Sequence, residues 1–577
     1  MVNSDKNDLN NLNHSCAHLL AAAVLDLWPD AKRTIGPAIE NGFYYDFDFE
    51  DLKITEEDLP RIEKKMTELL PTWESFEHRE VSEKEAKEIF KGNPYKLELI
   101  DEISQKGEKV TIYKSGDFED LCRGGHSKNP SQDIGAIKLL SIAGAYWRGS
   151  EKNKMLTRIY GTCFTNKDEL DKYLEMLEEA KKRDHKKLGP QLELFFFHET
   201  SPGMAYWLPK GVILYNKLIE FWREEHQKRG YYETVSPILN KKELYITSGH
   251  FDHYWQDMFV ANMGQNEEYG IKAMNCPNAM VIFGFKTRSY KDLPLRLSDT
   301  DPLHRYELSG VLNGLLRARE FRQDDAHIFV SEDQIKQEYQ RLFEIVEKFY
   351  SIFGLEYSFR LGTRPEKFMG DVQTWNKAEK ELQEILEESG KKYVILEGDG
   401  AFYGPKIDIL MKDSLGRQWQ MGTLQLDFQQ PRNFKLKYTD AAGQEKTPVA
   451  IHRVIYGSLE RFIGILIEHY AGAFPAWLAP TQVQIIPISD KNLDHAQKLL
   501  EQLSNAKIRT EVDNRSETMQ NKIRSAQLQK IPYMIIVGER EEKDNLISVR
   551  KRNGENQNGL KAEEFLQQLL MEIESKR

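Results

Sequence analysis

Cysteine is nearly absent from this chain: Cys16, Cys122, Cys163 and Cys276 are the only thiols in 577 residues. That scarcity excludes a disulfide scaffold and points to a reducing, cytoplasmic compartment. Long apolar runs are missing too, since none approaches the roughly 20 residues of a membrane span. The polar, acidic opening "MVNSDKNDLNNLN" lacks the basic-then-apolar order of a secretion signal. Positive charge is not in excess: 80 Lys and Arg against 91 Asp and Glu give −11. Any nucleic-acid contact must then rest on local basic patches. Internal repeats and low-complexity tracts are absent as well. What remains is an ordinary globular composition, 40% apolar and 30% charged, in a chain too long for one core.

Local patterns divide the chain into four parts. Residues 1–165 read as an α+β block. In it, "HSCAHLLAAAVLDLW" (14–28) is an Ala- and Leu-rich helix stopped at Pro29, and charged helical stretches lie between 56 and 91. "NGFYYDFDF" (41–49) and "AIKLLSIAGAYWRG" (136–149) read as strands. Residues 166–190 form a charged linker helix with a thin stripe of Leu170, Leu174 and Leu177, ended by Gly189-Pro190. Residues 191–478 alternate helices and strands. There Ser331 and Gln334 make a capping-box pattern ahead of apolar residues at 335, 339, 342, 346, 349 and 353, helix spacing throughout. The runs "YSFRL", "YVIL", "KIDILM" and "RQWQMGTLQLDF" between 357 and 428 have the alternation of a largely antiparallel sheet. In residues 479–577, "VQIIPI", "IRTEV" and "YMIIVG" separated by helices give a β-α-β-α-β unit with parallel strands.

Two clusters stand out first. "HSCAH" (14–18) puts His14 and His18 on one helical face, and "DLCRGGH" supplies Asp120, Cys122 and His126. By spacing, His14, His18, Cys122 and His126 look like four zinc ligands. In the central part, "HRYELSGVLNGLLRAREFRQDDAHIF" (304–329) sets Arg305 beside Glu307 and then brings Arg317, Arg319 and Arg322. Guanidinium forks beside carboxylates suit bidentate phosphate grip. "GSLERFIGILIEH" (457–469) leads into a helix with Arg461 in its first turn, another natural phosphate site. The bland alternative for both is a set of surface ion pairs.

Those two stretches resemble motifs 2 and 3 of the class II aminoacyl-tRNA synthetases. "YNKLIEFWREEHQKRGYYETVSPIL" (215–239) resembles motif 1, which forms the dimer interface in that class. "MNCPNAM", "RQDDAHIF" and "AIHRVIYGSLER" narrow the resemblance to the threonyl-tRNA synthetase family, over nearly the whole chain. The fold it implies is multidomain α+β: a class II antiparallel sheet with flanking helices, an N-terminal editing domain and a C-terminal α/β anticodon-binding domain. The activity it implies is formation of threonyl-adenylate from L-threonine and ATP, then transfer to the 3′ end of tRNA(Thr), with hydrolysis of mischarged Ser-tRNA(Thr). A homodimer is implied as well. Bacterial members usually begin with a small ubiquitin-like domain. This chain starts almost directly at the editing helix, the expectation for a short natural form or a trimmed one.

The resemblance also implies roles. Arg305 holds the α-phosphate of ATP and Arg461 the γ-phosphate, Arg317 assists, Glu307 and Gln425 lie nearer the adenosine, and magnesium bridges the phosphates. Cys276, His327 and His452 match the family's zinc ligands; at separations of 51 and 125 residues, spacing alone never finds them. Three protein ligands leave coordination open for substrate. Threonine offers an amino group and a hydroxyl, whereas a plain apolar pocket separates it from valine by only about 10². Asp325 is expected to receive the amino group, with Gln323, Met274, Tyr403, Gln420 and Thr423 around the substrate. His250 is expected near the ribose of the tRNA terminus. Serine passes a hydroxyl filter, which calls for a second, hydrolytic site. His14, His18, Lys96, Asp120, Cys122 and His126 are its candidates, with Tyr113 beside them. The quartet reads either as a zinc hydrolase site or, as the family favours, as metal-free hydrolysis with a histidine of near-neutral pKa activating water. Lys530, Glu541 and Arg550 are candidates for reading anticodon bases.

Overall fold

The computed structural model describes residues 2–39, 42–264 and 267–576. The chain forms two compact units, Met1–Glu178 and Glu179–Arg577. Among the described residues, no helix is long and apolar enough to cross a membrane.

The N-terminal unit contains α1 (Val2–Leu27), β1 (Gly42–Asp48), α2 (Leu59–Leu69), β2 (Glu77–Val81), α3 (Pro94–Gln105), β3 (Val110–Ser115), β4 (Phe118–Leu121), β5 (Ala136–Tyr146) and β6 (Met155–Phe164). β6 pairs antiparallel with both β1 and β5. Leu19, Leu20 and Ala23 of α1 pack on Phe43 and Phe47 of β1 and Ile159 of β6, which fixes the helix face that carries His14 and His18. The helix begins well before residue 14. Within it Asn13 Nδ2 donates to Leu9 O at 3.0 Å and Ser15 Oγ to Asn11 O at 2.9 Å, so these polar side chains are satisfied by the preceding turn. The charged region 56–91 is also not all helix. β2 lies within it as an outer strand of the β2-β3-β4 antiparallel sheet, its apolar signal hidden because Glu77, His78, Arg79 and Glu80 are exposed.

The charged helix α4 (Lys167–Arg183) ends earlier than its sequence suggests. Asp184 caps a separate helix, α5 (His185–Gln191), by accepting from Lys186 N at 2.8 Å. Pro190 sits in the last turn of α5, where the missing N–H forgoes a single bond and does not stop the helix.

The central part holds α6 (Pro209–Lys228), β7 (Tyr231–Glu233), α7 (Cys276–Gly284), β8 (Leu295–Asp299), β9 (Glu320–Val330), α8 (Ile335–Ser351), β10 (Glu356–Gly362), β11 (Tyr393–Leu396), β12 (Lys406–Lys412), β13 (Gln418–Asp427), β14 (Val449–Ser458) and α9 (Leu459–His469). Its sheet runs β7-β8-β9-β14-β13-β12-β10-β11. Only the outer pairs, β7/β8 and β10/β11, are parallel. The capping box before α8 is present, with Ser331 N donating to Gln334 Oε1 at 3.1 Å, and Ile335, Tyr339, Leu342, Val346 and Phe349 are buried. Strand alternation then sets the site. Ala326, Ile328, Leu424, Leu426 and Ile451 enter the helix-covered core, so Asp325, His327, Thr423, Gln425 and His452 point to the other face.

The last part contains β15 (Val483–Pro487), α10 (Leu493–Asn505), β16 (Thr510–Val512), α11 (Met519–Leu528), β17 (Tyr533–Val537), β18 (Ile547–Lys551), β19 (Asn556–Leu560) and α12 (Ala562–Glu574). β15 pairs parallel with β16 and β17, the expected α/β unit. β18 and β19 extend the sheet antiparallel, a mixed edge beyond that expectation.

Candidate active site

Cys276 opens α7, and His327 and His452 are direct cross-strand partners on β9 and β14. All three are buried, and one ligand atom from each lies within 4.8 Å of the others. His452 Nε2 sits 2.9 Å from Asp427 Oδ2, whose carboxylate also accepts from Gln429 N (2.7 Å) and Gln430 N (3.0 Å). A carboxylate only accepts, so Nε2 carries the proton and Nδ1 keeps its lone pair. His327 Nδ1 is buried with no hydrogen-bond partner. Burial pushes the His327 pKa well below its ordinary value and the Cys276 thiol well above its own. A buried, unsatisfied imidazole nitrogen beside a second imidazole and a thiol is costly without a partner. It is also the N/N/S donor set that a tetrahedral metal takes with one position open.

A cavity of about 330 Å³ adjoins this cluster. Of the residues expected around substrate, Met274, Gln323, Asp325, Tyr403, Thr423, Gln425, His250 and Arg305 line it. Asp325 accepts from Asn275 Nδ2 at 3.1 Å, and burial pushes its pKa up to about 6. Tyr403 donates to Gln425 Oε1, and Thr423 donates to Asp408 Oδ1 at 3.1 Å. His250 takes Ser248 Oγ at 2.8 Å on Nδ1, and its Nε2 lies 3.8 Å from Cys276 Sγ. Gln420 is the exception. It is exposed outside the cavity and accepts from Arg360 at 2.7 Å; a register shift sets Gln420 opposite Leu410 and Thr423 opposite Asp408, so the two share a face and Gln420 lies farther along the strand.

Arg305 borders the cavity with Nε donating to Ala273 O at 3.3 Å. Arg461 lies in the first turn of α9, where Ser458 caps its N–H at 3.1 Å, and its Nε donates to Leu316 O at 2.9 Å. Among the described residues neither guanidinium has a carboxylate partner. Burial lowers the Arg461 pKa, and Arg305 and Arg317 lower it further, while Glu307 opposes them. Three guanidinium groups thus share a region with one carboxylate, Glu307, which pairs with Arg317 at 2.9 Å. Such a region takes an anion. Arg319 and Arg322 instead brace the backbone, donating to Glu307 O (2.8 Å) and Thr300 O (2.7 Å).

In the N-terminal unit, His14, His18, Cys122 and His126 also bring ligand atoms within 4.8 Å of one another. Cys122 Sγ lies 3.6 Å from His14 Nε2 and 3.2 Å from His126 Nε2. His14 and His18 face a cavity of about 420 Å³ with Lys96, Asp120 and Cys122. Burial takes His18 down to about 3 and His126 to about 2, lowers His14, and raises Cys122 to about 11. The quartet is therefore neutral at pH 7, and its histidines are weaker bases than the near-neutral value the sequence suggested. Asp120 is clamped by Lys96 Nζ (2.7 Å), Arg33 Nε (3.2 Å) and the Tyr45 hydroxyl, and its pKa falls far below the carboxylate range. Arg33 and Tyr45 carried no sequence signal beyond the inward parity of Tyr45 in an aromatic strand. Tyr113 stays off the cavity wall, stacked on His78 with centroids 5.3 Å apart.

Lys530, Glu541 and Arg550 do not form one cluster. Lys530 precedes β17 at the edge shared with Gly472, and its carbonyl accepts from Arg552 at 2.9 Å. Glu541 lies beyond the far end of β17 and binds Ser548 Oγ at 2.9 Å. Arg550 is mid-strand on β18, bonded to Asn556 Oδ1 at 3.0 Å. The length of β17 separates the first two.

Residues 254–470 match the tRNA synthetase class II core domain (G, H, P, S and T), residues 482–572 the anticodon binding domain, and residues 110–160 the threonyl and alanyl tRNA synthetase second additional domain. The threonine–tRNA ligase of Thermotoga neapolitana is 51% identical over 98% of this chain and 88% of its own length. That of Clostridioides difficile is 50% identical over 99% of this chain and 89% of its own. Among solved structures, the RNA binding domain of threonyl-tRNA synthetase from Cryptosporidium parvum is 39% identical with a TM-score of 0.65, covering 68% of this chain and 98% of that one. With residues 254–470 matching the class II core domain and half its residues identical to those ligases, the chain belongs to the threonine–tRNA ligase family of class II aminoacyl-tRNA synthetases.

Proposed function

We propose that Arg305, Arg317 and Arg461 hold the triphosphate of ATP, with Glu307 and Gln425 toward the adenosine. L-Threonine then lies in the 330 Å³ cavity with its amino group on Asp325. A threonine carboxylate oxygen attacks the α-phosphorus and pyrophosphate leaves. Fixed guanidinium groups stabilise the charge that develops, with no covalent enzyme intermediate. Magnesium accompanies ATP and supplies further phosphate charge neutralisation. Cys276, His327 and His452 would hold zinc, which would supply Lewis-acid binding for the amino and hydroxyl groups of threonine. In the second step the terminal ribose hydroxyl of tRNA(Thr) attacks the threonyl carbonyl and AMP leaves. His250 is the group we assign to orient that hydroxyl.

The observation that carries this reading is the pair of guanidinium groups without carboxylate partners beside a cavity whose other wall is a buried N/N/S donor set. Arg305→Ala and Arg461→Ala test it. Each is expected to lower threonine-dependent ATP–pyrophosphate exchange by about 10²–10³. Near wild-type exchange in both variants refutes it.

We assign hydrolysis of Ser-tRNA(Thr) to the N-terminal cleft, with neutral His14 and His18 orienting water and substrate. A second reading, a divalent ion on the quartet, is favoured by its four donors within 4.8 Å and the partnerless His18 and His126 Nδ1 atoms. Metal analysis separates them: one zinc per chain supports the first reading, and two, with one lost in His14→Ala/His18→Ala, the second. The four-part division at 165, 190 and 478 and a cytoplasmic location belong to this reading. So does a homodimer through motif 1, supported by the exposed Tyr232, Val235, Ile238 and Leu239.

A further inference from the structure

One buried histidine has no part in the chemistry above. His185 opens α5 and is 1% exposed. Its Nδ1 lies 2.7 Å from Glu468 Oε1 in the last turn of α9, and its backbone N–H donates to the same oxygen at 3.3 Å. The carboxylate can only accept, so Nδ1 carries the proton. In the neutral ring Nε2 is then an acceptor, and it takes the Leu315 N–H at 3.1 Å. Glu468 is held in turn by Arg417, which also grips Asp413 through Nε at 2.7 Å. Asp184, His185 and Glu468 bring donor atoms within 4.8 Å, but both imidazole nitrogens are engaged by protein, so the cluster is a brace and carries no free ligand set.

Leu315 belongs to the turn Asn313–Arg317, closed by Asn313 N donating to Arg317 O at 3.2 Å. Lys186, next to His185, donates to Asn313 Oδ1 at 3.1 Å. Gly314 has φ +52°, and a Cβ there would lie 2.3 Å from His185 Nε2, so ring and turn fit without spare room. The following carbonyl, Leu316 O, is the acceptor of Arg461 Nε at 2.9 Å. The residue after it is Arg317, paired with Glu307. One imidazole therefore joins the end of α9 to the turn that seats both arginines.

We propose that His185 is a positioning residue for ATP: by bridging Glu468 to the Leu315 N–H, it sets where Arg461 and Arg317 stand. It touches no substrate, and the inference rests on the assignment of those arginines to the triphosphate. A displacement of about 1 Å in such groups costs about 10²-fold in rate.

The test is steady-state ATP–pyrophosphate exchange by the full chain, varying ATP and threonine separately, in His185→Ala, His185→Gln, Glu468→Gln and Arg461→Ala. His185→Ala is expected to lose about 10²-fold in kcat/KM for ATP, with the KM for threonine unchanged. His185→Gln offers Leu315 an acceptor again and is expected to recover most of that loss. Wild-type ATP kinetics in His185→Ala overturn the proposal. So does a loss that falls equally on ATP and threonine and is not relieved by glutamine. If the alanine variant does not fold, Glu468→Gln decides: a raised KM for ATP supports the bridge, and wild-type ATP kinetics overturn it. Arg461→Ala separates this inference from the reading beneath it. Loss of exchange there, with His185→Ala normal, removes only the bridge, whereas normal exchange in Arg461→Ala removes the triphosphate assignment itself.

Discussion

Replacing Asp427 by asparagine isolates the tuning of the proposed zinc site without touching a ligand. Asp427 is fully buried and holds His452 Nε2 at 2.9 Å. Asparagine keeps an acceptor oxygen for Gln429 N and Gln430 N, which now bind the carboxylate at 2.7 and 3.0 Å. It replaces the negative charge with a neutral amide whose N–H₂ can face His452. Either two donors then oppose each other, or the imidazole switches tautomer and Nδ1 loses the lone pair that binds metal. Outer-shell carboxylates of this kind are worth about 10–100-fold in metal affinity, or about 1.4–2.8 kcal/mol. Competition against a chromophoric chelator measures the zinc dissociation constant directly. The threonine KM at limiting zinc should rise in parallel while the ATP KM does not. Unchanged zinc affinity in Asp427→Asn would show that the Asp427 carboxylate does not tune the site, and weaker zinc binding with no change in threonine KM that the metal does not bind threonine.

Three further outcomes follow from the N-terminal unit. Asp120→Asn strips the counter-ion from Lys96, which is 2% exposed and 2.7 Å away. Breaking a buried pair this way costs about 3–5 kcal/mol, to be read by denaturant unfolding of the N-terminal unit; a loss under about 1 kcal/mol contradicts the burial of the pair. His18 has its pKa lowered to about 3 in the fold from an ordinary 6.5. The unfolded chain then takes the proton first, so stability is full above pH 6.5 and falls by about 1.4 kcal/mol per pH unit toward pH 3. Unfolding midpoints of wild type and His18→Gln at pH 7 and pH 5 check the sign, since wild type must lose more on acidification. His14→Ala should slow Ser-tRNA(Thr) hydrolysis by about 10²-fold through lost positioning and leave threonine-dependent exchange intact; a matched loss of exchange contradicts separate sites.

Periodicity carried much of the fold. The capping box at Ser331 and the apolar spacing through Phe349 gave α8, and the alternating runs from Tyr357 to Phe428 gave the antiparallel sheet. Elements whose outward faces are charged were harder to see. β2 was hidden among charged residues, and α4 yielded to α5 at Asp184, whose cap outweighed the Gly189-Pro190 stop. The triad of Cys276, His327 and His452 was legible only through family resemblance. Its residues meet because β9 and β14 pair in register and α7 begins beside them, and no local spacing encodes that pairing. Partners that act through burial escaped altogether: Arg33 and Tyr45 around Asp120, Asp427 behind His452, and His185 beneath the arginines. Gln420 shows the converse. A residue can belong to the right strand and the right face and still miss the cavity, because a bulge sets it farther along the strand, against Arg360.

The metal proposed on Cys276, His327 and His452 selects threonine through its hydroxyl and leaves serine to the N-terminal cleft. ATP–pyrophosphate exchange by the zinc-loaded wild-type chain with threonine, serine and valine tests it most directly. Strong exchange with threonine, weak exchange with serine and background with valine are expected. Valine activated as well as serine would contradict it.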